Sequence, residues 1–327
     1  MAILVAAALS AAACGPPPPL AARPSGDAFS SAPLFHDGAP WTAPQVEGAL
    51  HLSSAEPRFG GWSGLALDGS TLTAVSDRGY FLRLTLTPGG AQGLAVGEPR
   101  FGILPDADGA PLRGALRDAE EVLALPGGGL VVSFEREHRL WLYPPADKPF
   151  GAPPRPLPAP PGMADLPYNG GVEALARLPD GRLLVLAEDG ADDAGTTAAW
   201  VGTPADDSLA EIAWSPLRLK GSDGYKPTAA APAANGDLLV LERAFSIPAG
   251  FTSRIRRIPA DRLAPGMIAP GAVLDGPVVV RLDRPPVNDN FEGMATTPLP
   301  DGSTRVLVMT DDNYSGLQRT LLLSLRL

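Results

Sequence analysis

Cysteine is almost missing from the chain, with one residue, Cys14, in 327. A domain folding after it can hold no disulfide and no cysteine-based metal cluster. Histidine is nearly as scarce, at His36, His51 and His138. There is also no excess of positive charge, since 26 Lys and Arg face 36 Asp and Glu for a net −10. That balance excludes a nucleic-acid partner, because a phosphate backbone demands a basic face. No segment sustains a 3.6-residue apolar period, so helices are a minor feature. A nucleophile elbow, G-x-S-x-G on a strand-to-helix turn, is absent as well. "GGWSG" at 60–64 is the nearest approach and has the wrong spacing. No glycine-rich phosphate loop precedes a helix.

Turn formers and apolar residues are what the chain has in quantity. Glycine and proline number 37 and 38, and 45% of residues are apolar. A large core is therefore available, in a chain punctuated too often for long helices. The N-terminal "MAILVAAALSAAACGPPPPLAARPSG" has a different composition. Thirteen residues precede Cys14, too few to span a bilayer but the right kind for a secretory leader. "AAAC" is similar to a bacterial lipobox, with Ala11 where leucine is usual, and the expectation is export with lipidation of Cys14. A plain secretory signal cut nearby is the alternative. "GPPPPLAARPSG" reads as a stiff tether. The expected organisation is a leader over 1–14, a Pro-rich tether and lead-in over 15–44, and one domain over 45–327.

That domain repeats itself. "WSGLALDGSTLTAVSDRGYFLRLTL", "DAEEVLALPGGGLVVSFEREHRLWLY", "GVEALARLPDGRLLVLAEDG", "YKPTAAAPAANGDLLVLERAF" and "FEGMATTPLPDGSTRVLVMTDDN" share one plan. Each has a key polar residue, an apolar strand, a glycine turn, a second apolar strand, then an acid. The key residues are Ser63, Glu120, Glu173, Lys226 and Glu292, spaced by 57, 53, 53 and 66. Such a period predicts an all-β propeller of four-stranded antiparallel blades. Five units are legible, and a sixth blade has room only in the 66-residue interval or before residue 60, so five or six blades are expected. "VEGALHLSS", 46–54, is a spare strand that closes the ring and removes its open edge. "PPRPLPAPPGMADLP", 153–167, is an interblade loop.

The second acid of each unit is Asp77, Glu135, Glu188, Glu242 or Asp311. An up-strand, a turn and a down-strand separate it from the key residue, so both emerge at one end of the blade. Repeated around a ring, this gathers acids at one mouth of the channel. Carboxylates ~4 Å apart repel by about 1 kcal/mol in water and about 4 at an intermediate dielectric. The mouth therefore needs cations, bases or raised pKa values. Arg78, Arg136, Arg243 and Lys226 supply bases within the same motifs. The competing reading is that these residues are merely paired at blade edges.

"DAEEVLALPGGGLVVSFERE", "GVEALARLPDGRLLVLAED", "KPTAAAPAANGDLLVLER" and "NFEGMATTPLPDGSTRVLVMTDDN" resemble the family called esterase-like activity of phytase. The resemblance covers about residues 45–327 and implies an exported or lipid-anchored bacterial propeller that hydrolyses ester or phosphoester bonds at its acid-rich mouth, with calcium as the cofactor and no other. Ser63 departs from the pattern, which has an acid there. Carried over motif by motif, the resemblance makes Glu120, Glu173, Lys226, Glu292, Arg136 and Arg243 the candidate catalytic residues. Asp77, Arg78, Glu135, Glu188, Glu242, Asn290 and Asn313 are the candidate ligand-binding residues, and Asp118, Asp311 and Asp312 the candidate metal ligands. The expected protein is a monomer in the periplasm, or an outer-membrane lipoprotein, of a Gram-negative bacterium. Its expected partner is a small anionic ester or phosphoester, with no membrane contact beyond the anchor at Cys14. A non-catalytic propeller that binds a ligand at its mouth is the alternative.

Overall fold

The computed structural model describes residues 29–34, 45–87, 89, 93–190, 192 and 194–327. Cys14, the leader, most of the tether and His36 lie outside the described residues. Strands are the main regular element of the described residues, joined by turns and loops that include three short 3₁₀ segments. Among the described residues no helix is long and apolar enough to cross a membrane.

Five sheets stand in a ring, one blade per legible repeat. Each blade begins at the channel with an inner strand: Trp62–Asp68, Ala119–Ala124, Val172–Arg177, Lys226–Pro232 and Phe291–Pro298. Every inner strand touches the inner strands of the blades before and after it, and the fifth returns to the first. The turns that follow use glycine where the chain needs positive φ, as at Gly181 (91°), Gly236 (86°) and Gly302 (85°).

The core is five apolar wedges between neighbouring blades. Leu184 and Leu186 of blade 3 pack with Leu238 and Val240 of blade 4. Leu239 and Leu241 of blade 4 turn the other way, onto Val306 and Val308 of blade 5. A strand such as "LLVLA", buried at every position, is thus apolar throughout because both of its faces meet protein.

The described residues form five blades and no sixth. The 66-residue interval is filled by a crossover: after Gly250–Ile258 the chain reaches back to blade 3, adds Val273–Leu274 parallel to Arg218 and Leu219, and returns as Val278–Leu282. Blade 3 therefore carries a parallel edge strand in a sheet expected to be wholly antiparallel. Val46–Ser54 closes the ring against Thr320–Arg326, with Val46 opposite Leu325 and Leu52 opposite Thr320. Phe29–Pro33, inside the segment read as tether, adds a further strand outside it.

Candidate active site

All five inner strands start with the same defect. The pairing register skips one residue between Trp62 and Gly64, Ala119 and Glu121, Val172 and Ala174, Pro227 and Ala229, and Phe291 and Gly293. The skipped residues are Ser63, Glu120, Glu173, Thr228 and Glu292. A β-bulge lifts its residue out of the ladder and re-aims the side chain. Five bulges at one level thus deliver three glutamates to the mouth.

This register corrects one assignment. The key residue of blade 4 is Thr228, and Lys226 lies two positions earlier. The second-strand position shifts with it: Glu242 pairs with Pro227 inside the ladder, so Arg243 occupies the place of Asp77, Glu135, Glu188 and Asp311. The signal was in the sequence. Setting "LLVLAE" (183–188) over "LLVLER" (238–243) puts Glu242 under Ala187 and Arg243 under Glu188. The notion of an acid in every unit hid it.

Around the ring, Asp118, Glu120 and Glu135 form one carboxylate triad, with one oxygen of each within 4.8 Å of the others. Glu135, Glu173 and Glu188 form a second at the same limit. The Arg243 guanidinium spans the next gap, 3.2 Å from Glu188 and 3.4 Å from Glu292. Lys226 reaches in from the rim, 2.8 Å from Asp189 and 3.6 Å from Glu188. Asn290 donates through Nδ2 to Glu292 Oε1 at 2.9 Å. Arg136, held at φ 59°, lies 2.6 Å from Asp118. The structure thus brings together Asp118, Glu120, Glu135, Glu173, Glu188 and Glu292 with the bases Arg136, Arg243 and Lys226.

Burial sets their proton affinity. It pushes Glu120 and Glu173 well above the ordinary carboxylate range, and each is pushed further by the other acids; Arg243 offsets only part of this at Glu173. Asp118 is raised to about 6, again chiefly by burial, with Arg136 opposing. Glu188 and Glu292 are raised despite Arg243 beside them, because burial outweighs the pairing. Asp311 is raised by burial and by the charge of Glu292. Lys226 is raised, since its contacts with Asp189 and Glu188 overcome its partial burial.

Four expected site residues do other work. Glu242 is 1% exposed and lies between two arginines of its own blade, 2.7 Å from Arg254 and 2.5 Å from Arg256, so no ligand can use it. Asp312 clamps backbone, accepting from the Gly61 and Tyr314 amides at 3.0 Å and from Thr320 Oγ1 at 3.2 Å. Asp311 accepts from the Asn313 amide at 2.6 Å. Neither belongs to the two triads, so of the three expected metal ligands only Asp118 stands in a cluster that could hold an ion. Arg78 lies over the Tyr314 ring, 3.4 Å from its centre, which fixes it on the rim. Ser63 donates to the Gly61 carbonyl at 3.5 Å and has no histidine as its hydrogen-bond partner. Sequence reasoning missed Asp189 and Tyr314, whose neighbours Glu188 and Asn313 looked like the functional members.

The donor set fits a hard divalent cation. All ligands are oxygens, and two oxygens on one calcium ion, each at about 2.3–2.6 Å, stand at most about 5 Å apart. Both triads meet that limit. Asp77 Oδ1 and Asn290 Oδ1 are buried without a hydrogen-bond partner, as donors to an ion would be, whereas Asp118 Oδ2 is held by the Arg136 guanidinium.

An acid-lined mouth on a five-bladed ring defines a β-propeller with a polar channel entrance. The family described as Phytase-like, esterase-like activity of phytase, matches residues 57–314, and the chain belongs to it. A comparison with curated proteins returns no match. Among solved structures, a putative gluconolactonase is 15% identical, with 93% of each chain covered and a TM-score of 0.47. A gluconolactonase from Xanthomonas campestris is 14% identical over 93% of this chain and 99% of that one, with a TM-score of 0.41. A calcium-binding regucalcin from Agrobacterium tumefaciens is 14% identical over 86% and 83%, with a TM-score of 0.43. None of these likenesses is close enough to bear on function.

Proposed function

We propose that the chain hydrolyses ester bonds at the acid-rich mouth, phosphoesters first among them. The supporting observation is the adjacency of two carboxylate triads, one containing Glu173 with its raised pKa, to the cations Arg243 and Lys226. An anionic substrate needs those cations, because carboxylates alone would repel it. Arg243 offers a planar fork for two oxygens, and Lys226 a point charge. Both now face acids, so substrate binding would exchange one set of oxygens for another. Glu173 or Glu120, whichever lies outside the ion's shell, would take the proton of the attacking water, because burial raises its proton affinity above that of an ordinary carboxylate. Asp118, Glu120 and Glu135, or Glu135, Glu173 and Glu188, would hold calcium, which when bound would screen the phosphate charge and acidify water. The same proposal places the protein outside the cytoplasm, anchored through Cys14. Lipid labelling that survives Cys14→Ser would remove the anchor.

Purified protein should release p-nitrophenol from p-nitrophenyl phosphate or p-nitrophenyl butyrate in millimolar calcium, and less in chelator. Losing a positioned base costs about 10²–10⁴-fold in rate. Glu173→Gln should fall in that range, and Arg243→Met should raise KM for the phosphoester more than for the neutral ester. No turnover with calcium still bound makes the protein a binding propeller. Activity that survives both substitutions moves the site elsewhere.

A further inference from the structure

One blade reaches past the level of the mouth. In the other four, the second strand stops one residue before its acid, at Ser76, Phe134, Ala187 and Thr310. Leu238–Ser246 instead runs three residues beyond Arg243 and pairs with Gly250–Ile258 as far as Ser246 opposite Gly250. At about 3.4 Å per residue, this hairpin stands about 10 Å beyond the ring of charges.

Alternation along the strand decides what its two faces carry. Phe245, two residues after Arg243, shares its face, and Phe251 stands directly opposite Phe245 with the rings 4.9 Å apart. The Arg243 guanidinium lies 5.9 Å from the centre of the Phe251 ring. The two rings therefore continue the surface on which Arg243 meets Glu188 and Glu292. The other face is filled, since Tyr225 donates to Thr252 Oγ1 at 3.0 Å and packs against the Arg254 guanidinium, 3.9 Å away. Phe245 is nevertheless 62% exposed, and Ile247 at the tip 93%. A cross-strand aromatic pair steadies a hairpin, but one that projects from the body of its sheet gains no core by doing so. Exposed apolar surface beside a polar site marks a place that binds.

We propose that this hairpin selects the substrate of the mouth: Arg243 takes the anionic head group, and Phe245 and Phe251 cover an apolar group bonded to it. The proposal rests on the mouth binding anionic esters, and it names their class as phosphoesters of apolar alcohols or phenols. A methyl group leaves the rings uncovered, and a body charged all round gains nothing from them. An aryl group sheds water from one face and stacks.

Phenylphosphonate and methylphosphonate carry the same head group without an ester to cleave, so they separate binding from turnover. Isothermal titration of the full-length protein in millimolar calcium should give phenylphosphonate about tenfold higher affinity, the gain from stacking one aromatic ring on another. Phe245→Ser/Phe251→Ser should erase that preference while methylphosphonate binds as before and the melting temperature holds. Phe245→Leu/Phe251→Leu should keep most of it, and Tyr225→Phe, on the filled face, all of it. Arg243→Met should weaken both phosphonates. Equal affinity of the two for the wild type overturns the proposal even if phosphoesters turn over, and so does a preference that survives the double serine variant. Failure of both to bind overturns it as well. A preference without any turnover upholds the hairpin's role and strikes the hydrolysis instead. Should the double serine variant not fold, Phe245→Ser alone must lower the preference.

Discussion

Glu242 and Arg243 are neighbours in sequence with opposite fates. Arg243 faces the mouth and pairs with Glu188 and Glu292, acids of the blades on either side. Glu242 faces inward to Arg254 and Arg256, all three nearly inaccessible. Type and face were both legible, since "LLVLER" set over "LLVLAE" puts Arg243 at the channel and Glu242 in the ladder, but the expectation of an acid at every second-strand end pointed to Glu242 instead. A buried ion pair that loses one member costs about 3–5 kcal/mol, since a charge is left uncompensated. Glu242→Gln should lower the unfolding free energy by about that amount in denaturant titration. Combining Glu242→Met with Arg254→Met and Arg256→Met should recover much of the loss, because apolar replacement of a whole buried cluster is often neutral. A Glu242→Gln protein within about 1 kcal/mol of wild type would mean that the pair is effectively solvated.

At the scale of the element, the closing strand was readable and the strand outside it was not. Val46–Ser54 buries Val46, Ala49, Leu50 and Leu52, an apolar pattern that marks a strand wherever it pairs. Phe29–Pro33 leaves all but its first side chain exposed and joins through its ladder, a Ser30–Ser53 hydroxyl contact and the packing of Phe29 on Phe59, so its "FSSAP" carries no alternating pattern. The crossover pair Val273–Leu274 is two residues long and escaped for the same reason. The difference predicts two truncations. A chain starting at residue 45 should stay a soluble folded ring, with a small change in melting temperature. One starting at residue 56 loses the burial of Val46, Leu50 and Leu52, at about 1.5–3 kcal/mol each, and opens the edge of Thr320–Arg326. That sum rivals the roughly 5–15 kcal/mol by which whole domains are stable. It should aggregate on size-exclusion chromatography, and a melt that matches the full chain would refute closure as the source of stability.

Taken whole, the molecule is a channel with an acid pole and, where the inner strands finish, a pole lined mostly by apolar side chains with Asp68 and Arg177 among them. The acid pole was legible because carboxylates at a strand start have no scaffolding reason to repeat. The apolar pole was not, because Leu65, Val122 and Met294 read as ordinary core. Holding the acids together makes stability depend on pH, with a sign the burial fixes. Asp118 is raised from 3.8 to about 6, and Glu120, Glu173 and Asp311 are raised well above their ordinary values. Below the ordinary values, both folded and unfolded chains hold these protons and the groups contribute no slope. Above them the unfolded chain has released its protons while the folded one retains them, so stability falls as pH rises; for Asp118 the fall spans 3.8 to about 6. A divalent cation reverses this, because it replaces protons at the same oxygens and binds more tightly as they leave. At 100 Kd it adds about 2.7 kcal/mol. Thermal melts in chelator should therefore decline from pH 4.5 to 7.5 by more than melts in millimolar calcium, and the gap should widen with pH to several degrees. In Glu120→Gln/Glu173→Gln protein the decline in chelator should flatten and the gap should shrink. A gap of constant size, or none, would leave the chain's own bases, Arg136, Arg243 and Lys226, as the counter-charges of the mouth.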